Sequence, residues 1–302
     1  MGFFNKDKHE TSKDVPMGLS GVKNIIAIAS GKGGVGKSTV SANLAVALKH
    51  MGASVGLMDA DIYGPSQPGM MGAHNDKANM DGDVIVPNQS HGVDFVSMGL
   101  LLGNDAPVVW RAPMAMKIIH QFINNVRWGH LDYLLIDLPP GTGDVQLTLA
   151  QQIPLTGAVI VTTPQQVALR IAGKGQKMFE QVNVPILGMI ENMSGFTCSH
   201  CGEDTAIFDQ GGADLFCKNT GTKLLGKIPL DPKIMSCADE GIPVLLKDSD
   251  HAASKAYLNL AHQLIDSMQK GEATTAVPEP LKVEVNQRGA LEVTWSESEY
   301  FT

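Results

Sequence analysis

The stretch Ile25-Ile26-Ala27-Ile28-Ala29-Ser30-Gly31-Lys32-Gly33-Gly34-Val35-Gly36-Lys37-Ser38-Thr39 decides how this chain is read. Its apolar, isoleucine-rich opening predicts a buried strand, which feeds a glycine-dense turn. Residues 40–49 then carry apolar positions at helical spacing. Gly31, Gly36, Lys37 and Ser38 fit G-x-x-x-x-G-K-[ST] in the strand–turn–helix setting that motif requires. Glycines let the backbone wrap closely around phosphate with its N–H groups turned inward. The helix N-terminus that follows adds unpaired donors and partial positive charge. In such a loop Lys37 reaches the β and γ phosphates and the Ser38 hydroxyl ligates Mg2+.

The 302 residues are enough to bury one substantial core, with 43% hydrophobic residues and a mean hydropathy of +0.01. A formal charge of −8 argues against a large nucleic-acid-binding face. The 4 cysteines include a single C-x-x-C, which is not the layout of a disulfide scaffold. Residues 1–16 are charged and lack the apolar centre of a signal peptide, and no later run approaches the roughly 20 residues a membrane helix needs. A cytoplasmic protein with neither a membrane nor a nucleic-acid partner is expected. Three segments are expected: a flexible one over residues 1–20, a main domain over 21–270, and a linker with a short β-rich tail over 271–302.

Lys32, directly after the first glycine, is not needed by an ordinary phosphate loop. Here the sequence resembles the deviant-Walker (SIMIBI) nucleotidases, the class that holds the nitrogenase reductase and the Min and Par partitioning ATPases. The resemblance implies an α/β P-loop NTPase fold, a mostly parallel sheet with helices on both faces. It also implies that Lys32 contacts phosphate across a face-to-face dimer.

Residues 54–58 read as a second strand delivering Asp59-Ala60-Asp61 to its C-terminal end, the edge where open parallel sheets bind ligands. If the chain stays extended there, both carboxylates face one side. In the resembled class the residue matching Asp61 lies near the γ phosphate and orients water or Mg2+, while Asp59 ties down the loop or the Mg2+ shell. Asp61-Ile62-Tyr63-Gly64-Pro65-Ser66 narrows the likeness to the Mrp/ApbC-type iron–sulfur cluster carriers. Residues 70–82 read as a surface loop, 84–86 and 93–98 as strands, and 114–126 as a helix. Trp110-Arg111-Ala112-Pro113-Met114 is similar to a motif of that family, with Ala112 in a glycine position.

Residues 131–136 predict another buried strand ended by Asp137, the expected Walker B carboxylate that holds Mg2+ directly or through water. Leu138-Pro139-Pro140-Gly141-Thr142-Gly143-Asp144 resembles a switch coupled to γ-phosphate occupancy, with Asp144 expected to cap the next helix. Residues 158–161 are a further strand. The family usually has an aspartate where Gln166 stands, so no functional carboxylate is assigned there.

Residues 184–190 form another expected strand, followed by Glu191-Asn192-Met193-Ser194-Gly195-Phe196-Thr197-Cys198-Ser199-His200-Cys201. Cys198 and Cys201 are compatible with half of a zinc site, a redox dithiol or half of a cluster site. Two copies of the chain supply four thiolates on a two-fold axis, which suits a [4Fe–4S] cluster and equally an intersubunit zinc. The surrounding residues resemble the carrier family's cluster motif. Cys217 and Cys237 read as small apolar fillers. The wider class recognises adenine with an asparagine matching Asn192 and with the segment holding Pro229. Strands at 281–285 and 291–295 suggest a terminal hairpin.

The resemblance therefore implies a homodimeric carrier with weak ATPase activity. It binds ATP and Mg2+ through Gly31, Lys32, Gly33, Gly34, Val35, Gly36, Lys37, Ser38 and Thr39. It takes a cluster from a scaffold donor and passes it to apo iron–sulfur client proteins. Lys32, Lys37, Asp61 and Asp137 are the expected catalytic residues. A MinD/ParA-like positioning switch is the alternative, which has no need of Cys198 and Cys201.

Overall fold

A computed structural model describes residues 16–62, 64–102, 112–197, 201, 203–205, 207–208, 211–269, 282–285 and 291–294. Residues 1–15 of the expected segment over 1–20, the Trp110-Arg111 pair, the linker over 271–280 and Cys198 lie outside the described residues.

In chain order the main elements are β1 (Val22–Ser30), α1 (Lys37–His50), β2 (Val55–Asp59), α2 (Gln67–Met70), β3 (Asn79–Asp81), β4 (Val84–Val86), β5 (Asn88–Ser90), β6 (Val93–Ser97) and α3 (Met98–Leu102). There follow α4 (Ala112–Asn125), β7 (Leu131–Asp137), α5 (Asp144–Gln152), β8 (Gly157–Thr162), α6 (Gln166–Gln181) and β9 (Ile186–Asn192). After them come β10 (Phe196–Thr197), β11 (Asp204–Thr205), α7 (Gly212–Thr220), β12 (Leu224–Ile228), α8 (Pro232–Asp239), α9 (Val244–Lys247), α10 (Ala252–Gln269), β13 (Lys282–Val285) and β14 (Leu291–Thr294).

The main sheet runs β12-β9-β8-β1-β7-β2-β6-β5. Its pairings are parallel except at the edge, where β5 runs antiparallel to β6. The strands next to β1 come from far along the chain, β7 on one side and β8 on the other, so the phosphate loop leaves the middle of the sheet. From Ile25 onward both faces of β1 are buried, and successive residues feed opposite layers. Ile25, Ala27 and Ala29 join a cluster with Phe122 of α4, Leu149 of α5, Ala172 of α6 and Cys217 of α7. Ile26 and Ile28 join another with Leu44 of α1, Ile234 of α8 and Tyr257 and Leu260 of α10. This is why the opening run lacks polar alternation: neither face meets water.

Most predicted elements stand within a few residues of their expected limits. The surface loop over 70–82 is partly ordered into β3, which pairs with β4, and β5 and α9 add short elements that the apolar pattern does not announce. Asp144 is not a helix cap: Gly143 holds that position and Asp144 sits in the first turn of α5. The terminal hairpin pairs β13 with β14 as the strand pattern predicts. Among the described residues no helix is long and apolar enough to cross a membrane.

At the opposite end of β7 from the phosphate loop, Asp132 joins three neighbouring strand starts. It accepts from Lys23 Nζ at 2.7 Å, Ser54 N at 2.9 Å and Ser54 Oγ at 2.7 Å. These donors, Lys23 first, hold its carboxyl well below the usual range. A depressed acid stabilises the fold above its unfolded pKa and loses that contribution as the pH falls. Asp132→Asn is therefore expected to cost about 1 kcal/mol at pH 7. The gap to wild type should narrow below about pH 4, as read by urea unfolding at both pH values.

Candidate functional site

Three strands deliver the site. β1 ends at Ser30, β2 at Asp59 and β7 at Asp137, and the register sets Asp59 beside Asp137 on neighbouring strands. All three ends lie at the carboxyl edge of the sheet, where the phosphate loop turns into α1. Gly36 closes that turn with φ of +79° as the residue before the helix. It has a second reason to be glycine. A Cβ there would stand 2.2 Å from Asn192 Nδ2. Gly31 is similarly confined, since a Cβ would come within 2.7 Å of the Ile171 backbone. At Gly33 and Gly34 an added Cβ would meet no atom within 4 Å, so this part of the loop is open.

Asp137 is fully buried, and its carboxylate is the meeting point of the site. Oδ1 receives Lys37 Nζ at 2.5 Å and Ser41 Oγ at 2.9 Å, and Oδ2 receives Gln67 Nε2 at 3.0 Å. Lys37 itself is only 6% exposed, and its Nζ also lies 3.4 Å from Ser38 Oγ. Ser38 and Thr39 are half-buried at the start of α1, where the Thr39 carbonyl accepts from Asn43 Nδ2.

Asp59 and Asp61 do not share one face. Asp59 turns inward and is fully buried, accepting from Asp61 N, Gln67 N and Ser97 Oγ. The ladder to β7 makes a last bond from Ala60 N to Asp137 O, and Ile62 N then donates back to Ala60 O, which bends the chain. Burial, and then the Asp137 charge, raise the Asp59 carboxyl to about 7. Asp59 thus serves as the anchor of the loop that follows. Asp61 is half-buried on that loop and accepts from Gly64 N at 3.3 Å.

Lys32 is half-buried and donates to Gln165 Oε1 at 2.9 Å, which ties the loop to the residue just before α6. The expected switch segment is hydrogen-bonded to the strand beneath the loop. Leu138 N donates to Ile28 O, and Gly141 N to Ser30 O at 3.0 Å. Asn192 ends β9, is 7% exposed, and donates through Nδ2 to the Val35 carbonyl at 2.8 Å. Through this bond Asn192 holds the phosphate loop.

Beyond Asn192 the chain takes two left-handed residues, Met193 at φ +58° and Gly195 at φ +82°. It then enters β10, which pairs with β11 around the cysteine segment. Leu230 N donates to Gly195 O, and this places half-buried Pro229 beside the same turn. Cys201 is exposed, whereas Cys217 and Cys237 are buried, as fillers should be. Burial also pushes the Cys217 thiol up to about 12, which keeps it inert. Gln67, Ser41, Ser97 and Gln165 are site residues that sequence reasoning misses.

A central parallel sheet with a glycine loop running into a helix, a buried lysine and a strand-end aspartate defines a P-loop NTPase fold. The chain belongs to the ParA family described as NUBPL iron-transfer P-loop NTPase, which matches residues 21–265. It is 51% identical over 247 residues to the iron-sulfur cluster carrier protein of Haemophilus influenzae, covering 82% of this chain and 67% of that one. It is 49% identical over 254 residues to the iron-sulfur protein required for NADH dehydrogenase, mitochondrial, of Arabidopsis thaliana, covering 83% and 81%. Among solved structures, the nucleotide-binding protein in complex with ADP from Archaeoglobus fulgidus matches with TM-score 0.67 and 39% identity, over 74% of this chain and 88% of that one. The Pyrococcus furiosus cell division ATPase MinD matches with TM-score 0.61 and 25% identity, over 80% and 98%.

The contact between Gly36 and Asn192 can be tested by a double-mutant cycle. Gly36→Ala forces a left-handed alanine, which costs roughly 1–2 kcal/mol, and adds the collision with the carboxamide. Asn192→Ala removes the obstacle. The double variant should therefore lose less stability in urea than the sum of the single losses. Strict additivity would mean the two residues do not meet.

Proposed function

We propose that this chain is an ATP-binding, weakly ATP-hydrolysing carrier that holds a [4Fe–4S] cluster between two copies and passes it to apo iron–sulfur proteins. The observation that carries the reading is the Asn192–Val35 hydrogen bond. It fastens the floor of the nucleotide site to the strand end from which the cysteine segment departs. The relatives named iron-sulfur cluster carrier protein support the cargo, and the ADP complex of the Archaeoglobus fulgidus protein supports the nucleotide.

The residues present fit nucleotide and Mg2+. Gly31 to Thr39 supply backbone donors around the open stretch at Gly33 and Gly34. Lys37 has a flexible stem, and its ammonium exchanges Asp137 for phosphate oxygens when nucleotide enters. Ser38, through its hydroxyl, and Asp137, through its carboxylate, are the residues that would hold Mg2+. Mg2+ held there would supply positive charge to offset that developing on the phosphate oxygens. Asp61, on the loop anchored by Asp59, orients the attacking water. Lys32 exchanges Gln165 for the nucleotide of the opposite subunit, adding charge as the dimer closes. Asn192 keeps an Oδ1 acceptor for adenine while Nδ2 holds Val35, and Pro229 lies against the same turn.

Cys198 and Cys201 of each copy give the cluster four thiolates. A scaffold protein supplies the cluster and client apoproteins receive it. The formal charge of −8 favours this carrier role over a scaffold-bound positioning switch.

Anaerobic reconstitution with iron and sulfide tests the reading. Wild type is expected to develop the broad visible absorption of an iron–sulfur cluster, and Cys198→Ala and Cys201→Ala each to lose it. A colourless wild type, or full colour in both variants, overturns the carrier assignment. Zinc in the protein as purified, at one ion per two chains and lost with either cysteine, would replace it with a structural metal site.

A further inference from the structure

Gln67 is fully buried at the first position of α2, and all of its polar groups but one are engaged with the site. Its backbone N donates to Asp59 Oδ2 at 3.2 Å. Its side-chain Nε2 donates to Asp137 Oδ2 at 3.0 Å and to the Ser38 carbonyl at 3.1 Å. Its Oε1 is buried and has no hydrogen-bond partner among the described residues. Reversing the amide does not cure this. It would set Oε1 against a carboxylate oxygen and a carbonyl oxygen, both of which only accept. The orientation is therefore chemically fixed, and a buried acceptor stands unsatisfied where such groups are seldom left alone.

The place of that oxygen is informative. The same amide grips the two residues assigned to Mg2+, one through its carboxylate and the other through its backbone. A group there needs a strong donor. Mg2+ keeps several of its waters when bound to protein and phosphate, and the cation polarises their O–H bonds. We infer that Gln67 is an outer-sphere positioning residue for Mg2+, its Oε1 accepting from a metal-bound water while its Nε2 holds Asp137 in place. The inference rests on Mg2+ accompanying the nucleotide as proposed above. It adds a residue that the phosphate-loop and Walker B motifs do not contain.

Such partners commonly account for ten- to hundredfold in metal affinity. The test uses the full chain with ADP and Mn2+, with bound metal read by the electron paramagnetic resonance of Mn2+. Fluorescent ADP binding in EDTA is measured alongside. Gln67→Met keeps the length and removes both polar groups. Gln67→Asn keeps the amide but withdraws it by one methylene.

Both variants are expected to weaken Mn2+ binding in the ADP complex at least tenfold, and to change metal-free ADP affinity by less than about threefold. Unchanged Mn2+ affinity in both variants overturns the role of Gln67 while leaving the metal site intact. So does an equal loss of metal-free and metal-loaded ADP binding, which would mark a purely structural residue. If wild type with ADP binds no Mn2+, the Mg2+ assignment falls as well, and the two failures are told apart by that control.

Discussion

The carboxylate of Asp137 is the constraint on which the site depends. It is fully buried, and it receives Lys37 and Ser41 on one oxygen and Gln67 on the other. A buried charge left without partners would be expensive, so these donors are conditions for the fold as well as parts of the machinery. They also come from different elements: Lys37 and Ser41 from α1, Gln67 from α2. Through one side chain the phosphate loop, the neighbouring strand end and the segment after Asp59 are held in a common frame.

The balance of charge around that frame is uneven. Asp59 and Asp137 end neighbouring strands, and the buried Lys37 ammonium bonds Asp137. Asp59 responds by holding its proton up to about 7, under burial and the charge of Asp137. Hydrogen bonds from Gln67 N and Ser97 Oγ work in the opposite direction and keep the group fixed in place.

What could be read from the chain and what could not divide along contact range. β1, the loop and α1 are legible because their signals are local: an apolar run buried on both faces, glycines at a turn, helical spacing after it. Asp137 is legible because it closes another such run. Gln67 is not, since nothing in Ser66-Gln67-Pro68 announces a partner 70 residues away. The same holds for Gln165, which meets Lys32 across 133 residues, and for Asn192, which meets Val35 across 157. Asp59 and Asp61 show the limit in another form. Their two-residue spacing suggests a shared face only while the strand continues, and the chain turns back just past Asp59, where Ile62 N donates to Ala60 O.

The turn after Asn192 fixes a length as well as a direction. From Asn192, anchored on the phosphate loop, only four residue steps lead to the start of β10 at Phe196. Even fully extended, four steps span no more than about 14 Å, and the left-handed residues Met193 and Gly195 shorten the path. The hairpin flanking the cysteine segment is therefore leashed to the nucleotide floor by a piece of backbone too short to absorb much slack. A displacement of the loop by an ångström or two has little chain in which to dissipate before it reaches β10.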